Sequence, residues 1–378
     1  MKKIFTLVAT ALCVVGVNAQ DYQYTLTDAD VALTQELINT VYANTVEAGG
    51  ISAEIIIPGT KGTIDVYGLS NTGEKTGVKL PKDFCLTIKG EGEKPTLNFP
   101  KSFNIAGEHD HIRFENLKIA DGGCQYFINQ SDSATIGELS LKGIEINGME
   151  RSLIRTQGTK AIKIDNIIVD NCIMTDMSNA NGYSVFYFGT NTTTIGKLDI
   201  KNSTFNKSQR SFIESSKAPV ANGIFISDCT FYNNVASGRY FMDANGQSTN
   251  LTMTNVILGK TFDAATSRGA RTAGAMTFTN CLRTSDCVYG SNNIADLPAG
   301  EQSSADIFTD PDNGDFTLKI DTKVGDPRWY KGGTGSGISS AVVEKAAADA
   351  PAYNLAGQKV NDSFKGIVVK NGKKVVVK

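Results

Sequence analysis

Short runs of alternating apolar and polar residues follow one another along the chain, and one of these runs recurs. Its clearest copy is Ile112-Arg113-Phe114-Glu115-Asn116-Leu117-Lys118-Ile119, in which apolar residues precede and follow a residue that tolerates left-handed backbone. Equivalent positions recur 25 to 31 residues apart, at 90, 116, 143, 171, 202, 228, 255 and 280. A repeat of this length is typical of architectures in which successive units stack on one another.

A second short apolar strand lies between consecutive copies, and no helix-length segment separates them. Because no such repeat can bury its own apolar face, we predict an all-β fold, a right-handed parallel β-helix of about eight coils over residues 50–330. Asn116, Asn171, Asn202 and Asn255 should line up on one corner, since Asn tolerates the left-handed conformation of a tight corner. A β-sandwich is the alternative, but its strands would recur about every 8 to 12 residues.

Two segments precede the repeats. A charged start, an apolar stretch and a small-residue cleavage site predict a secretory signal peptide over residues 1–19. Residues 20–49 are predicted as a cap, in which helical spacing places Leu33, Leu37 and Val41 on one face of a short helix. Such a helix would cover the open end of the β-helix, where strand edges are unpaired.

Two further segments follow the repeats. Residues 331–351 begin with a Gly-rich run and are predicted as a linker. Residues 352–378 are predicted as a small β-module with a hairpin turn at Asn371-Gly372. No run of 18 apolar residues follows the predicted signal peptide, so we expect no transmembrane segment.

Composition and charge restrict the partners. The predicted β-helix and its cap carry 27 basic and 36 acidic residues, which argues against a nucleic-acid ligand. Six cysteines follow the signal peptide, an even number that allows a disulfide interpretation. Cys172, Cys229 and Cys281, however, each follow a corner position and belong to an inward column, so we predict that they are buried free thiols.

The coil pattern resembles the pectate-lyase-like parallel β-helix superfamily. The segments from Leu86 to Leu97, Arg-Ser-Leu-Ile-Arg, Arg-Ser-Phe-Ile and the closing Gly325-Asp326-Pro327-Arg328-Trp329 resemble an uncharacterised family of exported Bacteroidetes proteins. The segment from Tyr353 to Val375 resembles a type IX (Por) secretion sorting domain, with an ordinary capping sheet as the alternative. These resemblances imply an extracellular or outer-membrane-surface protein whose C-terminal module meets the secretion machinery.

The superfamily resemblance also implies where a ligand would bind, because its members use the outer face of one strand ladder. The Phe-Ile strand supplies such a ladder, and alternation puts two columns on its outer side. The first column contains Lys101, Gln125, Arg151, Ser184, Arg210 and Arg239. The second contains Ile105, Asn129, Arg155, Phe188, Glu214 and Asp243. An aromatic column between them either lines a sugar-stacking groove or lies under loops, and contains Phe127, Phe186, Phe212 and Phe241.

Two interpretations of this ladder remain open. In one, arginines pair with the carboxylates of an acidic polysaccharide. In the other, Arg210–Glu214 and Arg239–Asp243 are ion pairs between coils and contribute little individually. For the ligand-binding interpretation the candidate residues are Arg151, Arg155, Arg210, Glu214, Arg239, Asp243, Phe212 and Phe241.

Two classes of function follow. The first is an exported protein that binds polysaccharide without turnover, since the catalytic motifs of the known lyases and polygalacturonases are missing. The alternative is a lyase or hydrolase acting on uronate-containing glycans, and a lyase would need Ca²⁺ or a basic group to stabilise the enolate. No metal site or other cofactor is expected: Glu108-His109-Asp110-His111 is interpreted as a polar corner and Asp310–Asp315 as a turn.

Overall fold

The computed structural model describes residues 22–179, 182–262, 266–292, 294 and 296–331, and four short strands within residues 352–377. The parallel strands from Tyr22 to Arg283 form a parallel β-helix of about nine turns, which confirms the predicted fold class. The additional turn lies at the N-terminal end. There a short 3-10 helix, Gly59–Lys61, turns the corner, so this coil lacks the single Asn-like residue of the repeat.

Two long parallel sheets meet at the corner that Asn116 and its equivalents mark in each coil. The strands of the first sheet are Tyr22–Thr25, Ser52–Pro58, Cys85–Glu91, Gly107–Glu115, Ala134–Lys142, Ile162–Asp170, Thr193–Lys201, Ile224–Ser227, Leu251–Thr254 and Met276–Thr279. Those of the second are Ala32–Thr34, Thr63–Leu69, Thr96–Phe99, Lys118–Asp121, Glu145–Met149, Ile173–Met177, Thr204–Asn206, Thr230–Tyr232, Ile257–Leu258 and Leu282–Arg283, and Lys75–Thr76 pairs with Thr63–Leu69.

The third sheet is shorter and contains the predicted Phe-Ile strands. Its strands are Ile128–Gln130, Ile154–Thr156, Phe186–Phe188, Ile213–Glu214, Tyr240–Asp243 and Arg268–Arg271. Single bridges between Phe103 and Ile128, and between Lys79 and Asn104, continue the same ladder toward the N-terminus.

The corner between the first two sheets forms as predicted. Asn116, Asn171, Asn202 and Asn255 all adopt left-handed backbone, with φ between 49° and 55°. The side chains of Asn116, Asn202 and Asn255 bond to the preceding coil; for example, Asn202 Nδ2 donates to Asp170 Oδ1 at 2.8 Å. The six cysteines in the described residues are free thiols. The predicted burial is confirmed for Cys172 and Cys229, whereas Cys281 is only half-buried.

The N-terminal cap contains one helix, α1 (Gln35–Glu47), in which Ile38, Val41 and Thr45 are buried. Leu33, which was predicted to lie on this helix, belongs instead to the strand Ala32–Thr34. The helix begins after Thr34, whose side chain accepts a hydrogen bond from the Leu37 amide and so caps the helix N-terminus. The predicted cap segment also supplies a strand, since Tyr22–Thr25 pairs with Ala53–Ile56 of the first coil. The predicted signal peptide lies outside the described residues.

The C-terminal end of the β-helix folds back along its side. Helix α2 (Ser304–Ile307) and the antiparallel strands Phe308–Asp310 and Asp315–Leu318 lead into residues 324–330, which we call the strap. The strap contributes Trp329 to a second apolar cluster, distinct from the interior of the β-helix. At its start, Gly325 has a φ of 91°, and a Cβ there would lie 2.8 Å from Ile257 and Thr230.

The strap crosses four coils. The Gly325 amide donates to the Asn255 carbonyl at 2.8 Å, and the Asp326 amide donates to Thr230 Oγ1 at 3.0 Å. Further along, Thr204 Oγ1 donates to Asp326 Oδ2 at 2.8 Å and accepts from Trp329 Nε1 at 2.7 Å. Arg328 Nη2 donates to Asn171 Oδ1 at 2.6 Å and to the Asn202 carbonyl at 3.1 Å. The strap therefore binds Asn255, Thr230, Thr204, Asn202 and Asn171 of the coils.

The contacts divide the chain into two units, Met1–Gly333 and Thr334–Lys378. The second contains an antiparallel sheet with the strands Ala352–Asn354, Lys359–Val360, Gly366–Lys370 and Lys373–Val377. Lys370 pairs with Lys373, which leaves two residues between the paired strands. The predicted turn residues Asn371-Gly372, and most of the predicted linker, lie outside the described residues.

Candidate functional site

The outer surface of the third sheet carries one column of polar and aromatic side chains, which we call the outer column. Strand register brings together one residue from each of eight coils: Lys79, Asn104, Asn129, Arg155, Tyr187, Glu214, Asp243 and Arg271. Four of these eight residues belong to the second column expected from the sequence. Ile105 and Phe188 do not belong to it, because both are buried and their preceding neighbours occupy the outer positions.

The aromatic residues of the predicted groove are inside the β-helix. Phe212 and Phe241 are 0% and 1% exposed, and their stacked rings lie 5.5 Å apart in the core. Phe127 and Phe186 are also fully buried. The prediction that Phe212 and Phe241 contact a ligand is therefore wrong. The chain bends just before each short strand, so two consecutive residues point inward and strict alternation fails there.

Tyrosines, not phenylalanines, provide the aromatic surface. Tyr126 and Tyr183 both pack against Arg155, whose guanidinium carbon is 4.9 Å and 4.1 Å from their ring centroids. The two centroids are 5.7 Å apart, so the rings are neighbours and do not lie on opposite sides of the guanidinium. Tyr187 extends this surface, with its ring centroid 4.7 Å from that of Tyr183. Arg151 Nη1 donates a hydrogen bond of 2.8 Å to the Tyr126 hydroxyl. These tyrosines are not among the predicted candidate residues. Tyr183 and Tyr187 are half-buried, whereas Tyr126 is buried.

Arg155 has no acidic partner among the residues that the structure describes. Its Nε is buried and makes no hydrogen bond there, and neither does Oδ1 of Asn129 in the next coil. A guanidinium packed against two neighbouring rings is oriented in advance, and its remaining N–H groups can bind a carboxylate in bidentate geometry. This is the chemistry of an anion subsite with aromatic walls.

Charged residues farther along the outer column pair differently from the prediction. Arg271 makes a bidentate ion pair with Asp243, at 2.7 Å and 3.0 Å. Glu214 accepts a hydrogen bond of 3.0 Å from the Ser184 hydroxyl, and burial raises the pKa of its carboxyl group. Arg210 donates instead to the Gly182 carbonyl at 2.8 Å. The predicted Arg210–Glu214 and Arg239–Asp243 ion pairs do not form in the described structure.

The first sheet provides a contrast within the same molecule. Register on its outer surface alternates charges of opposite sign from coil to coil, in the order Lys89, Glu115, Lys142, Asp170 and Lys201. Such a ladder neutralises itself and is typical of a solvated surface. On the third sheet, Arg155 is held by aromatic rings instead of by a carboxylate. The two surfaces therefore differ in what remains available to a ligand.

Two cavities adjoin the N-terminal end of the outer column. The larger, of about 730 Å³, lies between α1 and residues 68–81, and the smaller, of about 330 Å³, is lined by Asn104 and Asn129. Lys79 lines both. The cavities are therefore neighbours along the direction of the outer column.

Two sequence motifs contain residue types that can bind metals. The first, Glu108–His111, lies within the strand Gly107–Glu115 and not at the predicted polar corner. His109 is buried, with Nδ1 2.7 Å from the Phe84 carbonyl oxygen and Nε2 3.1 Å from that of Ala106. The Asp310–Asp315 segment forms a 3-10 turn, in which Asp312 accepts a hydrogen bond from the Tyr232 hydroxyl. Within the described ranges, no group of three or more His, Cys, Asp or Glu side chains is placed to share a metal ion.

Comparison with protein families gives one match. Residues 224–329 are similar to a domain of unknown function, DUF5123. No curated protein matches the chain. The match includes the last coils and most of the strap, whereas Asn171 and Thr204, which bind the strap, precede it. In the part of the chain that the structure describes, no helix is long and apolar enough to cross a membrane.

Proposed function

We propose that the outer surface of the third sheet binds an acidic polysaccharide without turnover. The observation that carries the proposal is Arg155, packed against Tyr126 and Tyr183 with no carboxylate partner in the described residues. Arginine can pair with a uronate carboxylate while the half-buried ring of Tyr183 stacks on sugar.

The arrangement of the outer column supports a linear ligand. Neighbouring coils are separated by about 4.8 Å, and each coil contributes one side chain. A sugar unit has a comparable rise, so an oligosaccharide along the rod would meet Asn129, Arg155 and Tyr187 in succession. The β-helix fold is consistent with this function but does not itself specify it.

A glycan array that includes polygalacturonate, alginate and hyaluronate tests the proposal. We expect binding to at least one uronate polymer, and Arg155→Ala should weaken it about 10- to 100-fold, since a hydrogen bond to a charged group contributes about 1.5–3 kcal/mol. Arg113→Ala is the matched control, because Arg113 pairs with Glu138 on the first sheet. Equal binding by wild type and Arg155→Ala would place the ligand elsewhere.

A second candidate is hydrolysis or elimination on the same surface. Glu214 favours it, because burial raises the pKa of its carboxyl group and Asp243 lies opposite in the next coil. A carboxyl group whose pKa is raised holds its proton to higher pH and is better suited to act as a general acid. If this candidate is correct, reducing ends or an ultraviolet-absorbing unsaturated product accumulate with wild type and not with Glu214→Gln. Binding with no product from wild type supports the non-catalytic proposal.

We further propose that the protein is exported and reaches the cell surface or medium through its C-terminal module. The signal-peptide pattern and the small antiparallel sheet within residues 352–377 support this localisation. Deletion of residues 352–378 should retain the protein inside the cell envelope, measured by fractionation. An unchanged surface or medium yield would mean that the module only caps the chain.

A further inference from the structure

The ladder of the third sheet ends at Lys79, where a side chain takes the place of another strand. Gln35 Oε1 accepts a hydrogen bond of 2.7 Å from the Lys79 amide, and Gln35 Nε2 donates one of 2.8 Å to the Lys79 carbonyl. Both backbone groups that would bind a further coil are thereby used. Gln35 is the first residue of α1, so this helix closes the N-terminal end of the outer column.

The larger cavity lies at this closed end. Its walls are α1, which contributes Asn39 and Tyr42, and the segment that contributes Leu69, Asn71 and Pro81. At about 730 Å³ it is within the range of about 300–1,000 Å³ that small-molecule sites occupy. It adjoins the smaller cavity, which leads to Asn129 and then to Arg155.

The lining of this cavity combines apolar walls with free polar groups. Tyr42 is held in place by an edge-to-face contact with Phe84, with 5.2 Å between ring centroids. Asn39 Oδ1 accepts a hydrogen bond from Gln35, but its amide N–H groups have no partner among the described residues. The Lys79 side chain is exposed at the junction of the two cavities. An aromatic ring beside amide and ammonium donors is suited to a sugar residue, which has an apolar face and many hydroxyl acceptors.

We infer that this cavity binds the terminal residue of the glycan, so that the protein recognises chain ends. The inference rests on the proposed function, because the chain would reach the cavity along the outer column. A polysaccharide lying on Arg155 and Asn129 meets α1 at Lys79, and only a chain that ends there can fit. An internal segment would have to pass through the helix.

The number of bound proteins per glycan chain tests the inference. Polygalacturonate, alginate and hyaluronate, each as polymer and as size-fractionated fragments, are titrated with the full-length exported protein by calorimetry. Recognition of chain ends predicts that the number of sites per chain stays constant as the chains are shortened, and that the number per gram of glycan rises. Recognition of internal segments predicts a number per chain that grows with length.

A variant that fills the cavity provides a second readout. Asn39→Trp should weaken binding at least about 10-fold. Thr40→Trp, an equally bulky change at an exposed position that points away from the cavity, should leave binding unchanged. Circular dichroism checks that both variants fold. If Asn39→Trp binds as tightly as wild type and the number of sites per chain increases with chain length, the inference is overturned but the proposed function is not. Absence of binding to all three polymers overturns the proposed function and this inference together.

Discussion

The guanidinium carbon of Arg155 lies 4.1 Å from the ring centroid of Tyr183. Tyr126 lies 4.9 Å from the same carbon and beside Tyr183, so two rings from different coils pack against the guanidinium. Stacking of this kind depends on the flat shape of arginine and not only on its charge. The shape and the charge of residue 155 can therefore be tested separately.

Arg155→Lys should weaken binding of a uronate polymer about 10-fold even though it preserves the positive charge. Lysine presents a compact ammonium that neither stacks as a plane nor pairs in bidentate geometry. Calorimetry with the polymer that wild type binds gives the dissociation constants, and Arg113→Lys on the first sheet is the control. Wild-type affinity in Arg155→Lys would show that charge alone accounts for binding.

Thr204→Val should lower the free energy of unfolding by about 2–4 kcal/mol. Its hydroxyl donates to Asp326 and accepts from Trp329, and a buried polar group that loses its partner costs about 1–3 kcal/mol. Because Trp329 is the only tryptophan, its fluorescence in a denaturant titration reports on the strap directly. Thr194→Val, at an exposed position, should change stability by less than about 0.5 kcal/mol. Equal effects of the two substitutions would contradict the structural role of the strap.

The strap should be more stable in mild acid than at neutral pH. Burial raises the pKa of Asp326 to about 6 from an ordinary value of 3.8, although the nearby Arg328 opposes the shift. Since the folded state holds this proton more tightly, the contribution is complete below about pH 4 and is lost as pH rises through about 6. It amounts to about 3 kcal/mol.

The comparison that isolates this group is wild type against Asp326→Asn. Unfolding is followed by Trp329 fluorescence. Between pH 4 and pH 7, the unfolding free energy of wild type should fall by about 3 kcal/mol relative to that of Asp326→Asn. Ionisable groups far from residue 326 contribute equally in both proteins and cancel. A difference that is independent of pH, or that favours wild type as pH rises, would contradict the expectation.

Asn202→Ala should destabilise the β-helix by about 1–3 kcal/mol. The residue has a φ of 49°, where alanine is strained by about 1–2 kcal/mol, and its side chain bonds to Asp170. Asn202→Gly also removes the hydrogen bond, but glycine adopts this φ without strain, so we expect a smaller loss of stability. Gly143 occupies the same corner position with a φ of 64°, and a Cβ there meets only ordinary contacts, so Gly143→Asn should be tolerated. Chemical denaturation measures all three, and a larger loss for Gly than for Ala would contradict this account.

The sequence contained enough to predict the coils and the corner, because these depend on local preferences repeated many times. Asn116 and its counterparts reveal the corner since few residues tolerate that backbone conformation. The outer column was predicted only in part, because a fixed offset between columns fails where the chain bends, as at Phe188 and Tyr187. The partner of Asp243 was missed because Arg271 lies in a coil with no recognisable Phe-Ile strand.

The strap has a consequence for how the chain folds. Most contacts in the β-helix join residues one coil apart, whereas Arg328 and Asn171 are separated by 157 residues. Coils can assemble one on another with small losses of chain entropy, but the strap can dock only after four of them exist. Its contacts therefore form late, and interactions that form after the transition state slow unfolding more than they speed folding. The strap thus contributes kinetic stability: it slows the unfolding of an assembled β-helix without speeding its folding.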